Sequence, residues 1–410
     1  MTSSPTTDLA DRVAALPAMD RLLPALAGLP PTYLVGGAVR DLIVGQDSVD
    51  LDLTVEGDGV AAARELAQRL GGEASEHERF GTATVRAGDL IVDLATARRE
   101  SYAHPGALPD VEAASLEEDL ARRDFTVNAM AIALSEPGRG ELRDPLGGFA
   151  DLAVARIRVL HDRSFIDDPT RLLRALRYEA RLGFGLEQDT ERLVREAVAA
   201  GALSTVSGPR VRDELMDLLG EPAAPVAVGR MRDLGVAAAL HPQLRADPEL
   251  VASALLNAGE TGADGALTAL AALVSTDPVS LGPFVSDLGL TAQARDAVLR
   301  AASAAPSLPA ALRDGPRPSE VHALLAAESP ETLALALALG APAGVIQRFT
   351  ASLRDMRLEI GGQDLVDAGL PPSEAIGRAL EETLRRKLDG EVAGREEELR
   401  TALELAQGLS

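Results

Sequence analysis

Two short motifs near the start of the chain combine residue types that suit phosphate and metal chemistry. The first runs from Tyr33 to Arg40 and places Gly36 and Gly37 between a short apolar run and a segment compatible with a helix. Such a strand, turn and helix would direct helix N-terminal amide groups and the Arg40 side chain at a phosphate. We therefore expect Gly36, Gly37 and Arg40 to bind a phosphorylated ligand.

The second motif supplies two carboxylates. In segment 49–55 the apolar residues occupy alternate positions, so a strand would place Asp50 and Asp52 together on its opposite face. Adjacent carboxylates repel each other unless a cation neutralises them, and hard oxygen ligands beside a phosphate site suit Mg²⁺. Although each motif alone is common at turns and on exposed edge strands, their order predicts a metal-assisted phosphoryl or nucleotidyl transfer site. In that site Asp50 and Asp52 would be catalytic and would bind the metal.

A third carboxylate and a basic segment follow. Asp93 lies in the apolar segment 90–94, where an aspartate is costly to bury unless a cation or hydrogen bonds satisfy it. The alternative is that Asp93 is a turn residue at the end of a strand. We expect it instead to lie near the metals as a third catalytic residue. Further on, Arg122 and Arg123 could hold a triphosphate and Asp124 a ribose hydroxyl.

These motifs resemble those of a known family, the class II nucleotidyltransferases of the tRNA CCA-adding enzyme and bacterial poly(A) polymerase type. Segment 122–131, RRDFTVNAMA, is similar almost letter for letter to the third motif of that family. The position of Asp93 is similarly acidic in the family. The resemblance implies an α/β catalytic head of the polymerase β type, with Arg123 and Asp124 binding the nucleotide.

A second informative stretch runs from Phe165 to Arg181. The sequence Asp168-Pro169 predicts a helix start with a side-chain cap and a proline at the first helical position. Arginines then recur every third residue with few acids among them, which favours an external anion as their partner. We expect the nucleotide to contact the arginines of this ridge, namely Arg171, Arg174 and Arg177.

Asp168 and Arg171 suit a more specific role. Cytosine and adenine both present an exocyclic amine beside an unprotonated ring nitrogen, whereas uracil and guanine present a carbonyl beside a ring N–H. A carboxylate acceptor next to a guanidinium donor can therefore pair with C and A and leave U and G unmatched. The resemblance implies the same protein template, although Asp167 stands where the family motif usually begins with glutamate.

Composition and patterning bound the rest of the chain. With 410 residues, 46% hydrophobic and 2% aromatic, the chain is too long for one core and rich in alanine and leucine. Together with this composition, the resemblance implies the fold class α+β, a polymerase β-like nucleotidyltransferase head followed by an all-helical neck, body and tail. The expected divisions are an N-terminal helical segment 1–29, the head 30–150, the neck 151–218, the body 219–355 and the tail 356–410. Segment 98–120 is polar and is predicted to be a mobile loop over the site.

Charge and cysteine usage exclude several classes. A net charge of −23 argues against non-specific nucleic-acid binding, so any RNA contact must be local. The absence of cysteine excludes disulfides and thiol nucleophiles. No run of about 18 apolar residues is present, and we expect a cytoplasmic protein that needs no membrane and no obligate protein partner.

The resemblance implies transfer of CMP or AMP from CTP or ATP to the 3′ end of tRNA, with Mg²⁺ as cofactor and release of pyrophosphate. Full CCA addition, addition of A alone and poly(A) synthesis remain open, whereas the long segment 98–120 argues against addition of CC alone. A catalytically inactive RNA-binding protein is the alternative from another class. A small-molecule nucleotidyltransferase would not explain the long helical remainder.

Overall fold

The computed structural model describes residues 5–46, 51–77 and 81–408, and Asp50 lies outside them. The chain forms two compact units, Met1–Leu240 and His241–Ser410. Within the described ranges no helix is long and apolar enough to cross a membrane.

The strands of the first unit are β1 (Thr32–Val35), β2 (Asp52–Val55), β3 (Glu73–His77), β4 (Thr82–Ala87), β5 (Leu90–Thr96), β6 (Arg98–Ser101), β7 (Asp110–Ala113), β8 (Ala131–Ala133), β9 (Leu142–Arg143), β10 (Arg156–Ile157) and β11 (Gly185–Leu186). Seven of them form a mixed sheet with the order β3-β4-β5-β2-β1-β8-β9, whereas β6 pairs with β7 and β10 pairs with β11. Strand β2 is parallel to β5 and antiparallel to β1, and β4 is antiparallel to both β3 and β5.

Helices surround this sheet and then make up the rest of the first unit. They are α1 (Pro5–Ala14), α2 (Met19–Ala25), α3 (Gly37–Val44), α4 (Gly59–Leu70), α5 (Leu116–Ala121), α6 (Gly148–Ala153), α7 (Ser164–Asp167), α8 (Arg171–Leu182), α9 (Gln188–Ala199), α10 (Gly208–Gly220), α11 (Ala224–Asp233) and α12 (Val236–Leu240). The α+β class, with a mixed head followed by helices, is therefore confirmed.

Local sequence signals explain why helix α4 has these bounds. It begins where the Asp58 side chain accepts a hydrogen bond from Ala61 N and ends at Gly71, whose φ is 67°. Strand β5 contains the apolar segment 90–94 in which the sequence places Asp93.

The prediction for segment 98–120 was wrong in part. Strands β6 and β7 pair as an antiparallel ribbon, and α5 follows with a capping box formed by Ser115 and Glu118. Charged pairs across the ribbon, such as Arg99 with Glu112, made its sequence look like a polar loop. Residues 102–109 are the longest stretch of the segment without a strand or helix.

The second unit is helical. Its elements are α13 (Pro248–Thr261), α14 (Gly265–Val274), α15 (Pro278–Asp287), α16 (Ala292–Ala304), α17 (Leu308–Ala311), α18 (Pro318–Leu325), α19 (Pro330–Ala338), α20 (Ala343–Arg348), α21 (Gly362–Asp367), α22 (Glu374–Leu388) and α23 (Arg395–Gly408), with a π-helical turn at Phe349–Leu353. An apolar cluster that includes Ile360, Leu365, Ile376 and Ala402 packs α21, α22 and α23 together.

A buried ion pair also joins the last two helices. Lys387 Nζ lies 2.5 Å from Glu398 Oε1, and the Glu398 side chain is fully buried. The other carboxylate oxygen, Glu398 Oε2, accepts a hydrogen bond from Glu359 N at 2.7 Å. Burial of the Glu398 carboxylate therefore depends on its ion pair with Lys387, the only lysine of the sequence.

Lys387→Met is expected to destabilise the second unit by about 3 kcal/mol, because it leaves a buried carboxylate without its cation. Denaturant unfolding at neutral pH measures the loss. Arg400→Met is the control, because it removes an exposed partner of Glu397 and should cost under about 1 kcal/mol. Equal losses in the two variants would contradict the prediction.

Candidate active site

The Gly-Gly turn joins β1 to α3 and is constrained by its neighbours. Gly36 has φ 70° and ψ −132°, and a Cβ at this position would lie 3.0 Å from Arg123 Nη1. A side chain would therefore be strained by the backbone conformation and would also displace the Arg123 guanidinium. Gly36 and Gly37 both line a cavity of about 370 Å³ in the first unit.

The sheet brings two of the three predicted carboxylates together. Because β2 and β5 are parallel neighbours, Asp52 is paired with Asp93, and both are exposed. Asp93 Oδ1 accepts a hydrogen bond from the Thr84 hydroxyl on β4. Asp52 lines the same cavity as the two glycines.

Carboxylates from adjacent strands are the oxygen donor set that a hard divalent cation requires, so Asp52 and Asp93 fit such an ion. Among the residues with described positions, which exclude Asp50, no three carboxylate, imidazole or thiol groups are close enough to form a metal site.

The segment after α5 positions Arg123. Asp119, which is fully buried, accepts hydrogen bonds from both Arg122 and Arg123, with Arg123 Nη2 at 2.9 Å. Burial by itself would raise the pKa of Asp119, but the two guanidinium groups outweigh it and hold the pKa below its usual value. The ionised carboxylate thus fixes Arg123, which also lies 3.4 Å from Thr54 Oγ1, beside the Gly-Gly turn.

Asp124 lies within a buried network. Its carboxylate accepts hydrogen bonds from Phe125 N, from Asn128 Nδ2 and from Arg174, whose Nη2 lies at 2.7 Å. Burial opposes ionisation of Asp124, but Arg174 and Asn128 outweigh it and lower its pKa.

Arg40 is 3% exposed, and its Nη1 donates a hydrogen bond to Asn128 Oδ1. Arg40 therefore lies behind Asn128 and is not part of the cavity wall.

Asp168 and Arg171 both line the cavity, with side chains fixed by other groups. Asp168 Oδ1 accepts hydrogen bonds from Thr170 and from Arg210 Nη2, the latter at 2.8 Å. Arg171 donates to Ser164 Oγ and to the Arg122 carbonyl oxygen. The predicted helix start was displaced: α8 begins at Arg171, and the Asp168 side chain closes the turn before it.

The remaining arginines of α8 have acidic partners that local sequence did not reveal. Residues 40 positions apart pair along α8 and α10: Arg174 with Glu214, Arg177 with Asp217 and Arg181 with Glu221. The constant offset means that the two helices run side by side in the same direction. The expectation that these arginines lack acidic partners was wrong, and Arg177 does not line the cavity, whereas Arg174 does.

Sequence reasoning missed four polar residues that line this cavity: Glu100, Tyr102, Asn128 and Tyr178. Glu100 Oε1 lies 2.7 Å from Arg122 Nη1, and Glu100 Oε2 accepts a hydrogen bond from the Tyr102 hydroxyl. Burial, followed by the charge of Glu100, raises the pKa of Tyr102 to about 12, so this phenol stays protonated. Of the four, Asn128 had a local signal, because it lies within the RRDFTVNAMA segment.

Tyr178 lies among three cations. Its ring centroid is 5.4 Å from Cζ of Arg40, 5.6 Å from that of Arg174 and 5.3 Å from that of Arg177. Phe125 packs against the ring edge with a centroid separation of 5.9 Å. The ring thus connects an arginine of α3 with two arginines of α8, which it can hold by cation–π attraction.

If the cavity binds the nucleotide that the sequence predicts, Tyr178→Leu is expected to raise KM for that nucleotide about tenfold, because it removes the aromatic face that orients Arg174. Tyr178→Phe keeps that face and should stay within about twofold of the original KM. Steady-state kinetics with varied nucleotide measure both values. A KM unchanged in Tyr178→Leu, or raised equally in Tyr178→Phe, would contradict this role of the ring.

Two family models match parts of this chain. A family model described as "Poly A polymerase head domain" matches residues 32–158, and one described as "Probable RNA and SrmB- binding site of polymerase A" matches residues 183–247. The A-adding tRNA nucleotidyltransferase of Geobacter sulfurreducens is 36% identical over 92% of this chain and 45% of its own length. The CC-adding tRNA nucleotidyltransferase of Deinococcus radiodurans is 36% identical over 90% of this chain and 88% of its own length.

Solved structures extend the similarity across the chain. A CCA-adding enzyme in complex with ATP has a TM-score of 0.84 and 31% identity, with 100% of both chains covered. The Thermotoga maritima CCA-adding enzyme complexed with tRNA has a TM-score of 0.80 and 32% identity, and 99% of this chain and 98% of that chain are covered.

The fold and the site define a nucleotidyltransferase. The chain belongs to the class II family of tRNA nucleotidyltransferases and poly(A) polymerases, whose members generally use divalent metals. It spans about half the length, or less, of several curated relatives that it matches.

Proposed function

We propose that this chain adds CMP and AMP, taken from CTP and ATP, to the 3′ end of tRNA without a nucleic-acid template. The observation that carries the proposal is one cavity lined by the Gly-Gly turn, Asp52, Arg123 and the pair Asp168 and Arg171. The names of the relatives, which include A-adding, CC-adding and CCA-adding enzymes, support the same substrate class. We also propose that the protein is cytoplasmic. The proposed divisions of the chain are those expected from the sequence, namely 1–29, 30–150, 151–218, 219–355 and 356–410.

Different residues are proposed to bind different parts of the nucleotide. Arg123, held by Asp119, and Arg174, held by Asp124, would neutralise the triphosphate. The Gly-Gly turn lets the phosphates approach the backbone at the N-terminus of α3. Asp168 and Arg171 would read the pairing edge of the base. Arg40 and Arg177 would act through Asn128 and Tyr178, because neither belongs to the cavity wall.

Asp52 and Asp93, together with Asp50 as the sequence predicts, are proposed to hold Mg²⁺. Bound there, the metal would lower the pKa of the attacking hydroxyl and neutralise charge on the phosphates. The carboxylates themselves orient the RNA 3′ hydroxyl for in-line attack at the α-phosphorus, with pyrophosphate as the leaving group.

The test is to incubate the protein with tRNA that lacks its 3′ CCA, or that ends in CC, and to supply CTP, ATP or both. Full CCA addition extends the shorter tRNA by three residues and then stops. Addition of A alone extends only the tRNA that ends in CC, and poly(A) synthesis extends generic RNA many times. If no RNA and nucleotide pair released pyrophosphate, the proposal would fail in favour of an inactive RNA-binding protein.

A further inference from the structure

A second cavity, of about 380 Å³, lies on the face of the sheet formed by β2, β4 and β5. It shares Asp52 and Arg123 with the nucleotide cavity, so the two cavities meet at the predicted reaction centre. Binding of the nucleotide in the first cavity gives this second cavity no role. Its volume lies within the range of pockets that hold small organic ligands.

Strand register places a row of polar side chains in this cavity. Thr84 on β4 is paired with Asp93 on β5, and Asp93 is paired with Asp52 on β2. Thr82, two residues before Thr84, points to the same face as Thr84, and both threonines line the cavity. The hydroxyls of β4 therefore lie next to the carboxylates that are proposed to act on the attacking group.

The two cavities differ in their number of arginines. Four arginines line the nucleotide cavity: Arg122, Arg123, Arg171 and Arg174. Within the described part of the chain, the second cavity has Arg123 as its sole arginine, beside His77, the carboxylates of Asp52 and Asp93, threonine hydroxyls and apolar residues. Such a surface suits a sugar and a base better than a triphosphate. In-line transfer also requires the acceptor and the leaving pyrophosphate to lie on opposite sides of the α-phosphorus.

We propose that the second cavity holds the 3′-terminal nucleoside of the acceptor RNA, and that Thr84 recognises its 2′ hydroxyl. This inference rests on the proposed function. The Thr84 hydroxyl donates a hydrogen bond to Asp93 Oδ1, so the Thr84 hydroxyl oxygen can still accept a hydrogen bond from another group. A ribose whose 3′ hydroxyl lay at Asp52 and Asp93 would carry its 2′ hydroxyl on the neighbouring carbon, and Thr84 is paired with Asp93 on the adjacent strand. The 2′ hydroxyl is the group that distinguishes RNA from DNA at such a site.

The test compares acceptors that end in ribose with acceptors that end in 2′-deoxyribose, in the original chain and in Thr84→Val. The original chain is expected to prefer the ribose end by about 5- to 10-fold in kcat/KM for the acceptor. Thr84→Val should lose that preference while its KM for the nucleotide stays within about twofold. Thr84→Ser, which keeps the hydroxyl, should restore the preference.

Ser75→Ala is the matched control, because it removes a hydroxyl from the adjacent strand β3 at a position outside the cavity. It should leave both the ribose preference and the KM values unchanged. A ribose preference that survives Thr84→Val, or a rise in KM for the nucleotide alone, would overturn the assignment of this cavity. If the original chain extended neither acceptor with any nucleotide, the proposed function would fail and this inference with it.

Discussion

Replacement of Asp52 by alanine is expected to lower kcat for nucleotide transfer on the order of 10³-fold, because several kcal/mol of charge stabilisation depend on this carboxylate. Asp52 lies at the junction of the two cavities and beside Asp93, so no other described carboxylate occupies an equivalent position. The rate of pyrophosphate release at saturating nucleotide and acceptor measures the effect. Asp52→Asn should give a similar loss, since the amide keeps the shape and removes the charge.

The control for Asp52 lies on the same sheet. Asp89 occupies the turn between β4 and β5, with a side chain that is 87% exposed and paired with Arg21. Asp89→Asn should retain full activity, because exposed pairs of this kind contribute little. Activity of Asp52→Ala above one tenth of the original would refute the assignment of the catalytic centre, provided that Asp89→Asn behaves normally.

The parts of the site that the sequence predicted are those set by short-range pattern. Alternation along β2 placed Asp52 on the face opposite Leu53, and the glycines between β1 and α3 predicted the turn at Gly36. Both depend on backbone geometry within a few residues. The pairing of Asp52 with Asp93 needed in addition that β2 and β5 be neighbours, which the sequence does not specify.

The parts that the sequence did not predict depend on tertiary packing. The partners of Arg174 and Arg177 are 40 residues away on α10, and Arg40 meets Asn128 across 88 residues. No periodicity within one helix indicates which acids a neighbouring helix presents. For this reason the arginines of α8 looked like a ridge awaiting an external anion, although most of their charge is balanced within the protein.

The two side chains proposed to select the nucleotide are also held by neighbouring groups of the protein. A base-reading pair must hold its geometry before the base arrives, since each loose donor or acceptor reduces discrimination. Arg210 fixes one oxygen of Asp168 and also donates to the Gly106 carbonyl oxygen at 2.8 Å. Arg171 is 5% exposed and is held by Ser164 and by the Arg122 carbonyl oxygen. The two side chains are thus oriented by their own neighbours.

Replacement of Arg171 by alanine is therefore expected to lower kcat/KM for CTP and ATP about 100-fold, because charged hydrogen bonds of this kind contribute about 1.5–3 kcal/mol each. The values for UTP and GTP should change much less, so the preference for C and A should collapse. Competition between the four nucleotides on one acceptor measures that preference directly. Arg163→Ala is the control, because Arg163 is 69% exposed and pairs with Asp167, outside the cavity. A uniform loss for all four nucleotides would show that Arg171 supports the fold or the phosphates, and base reading would then have to reside elsewhere.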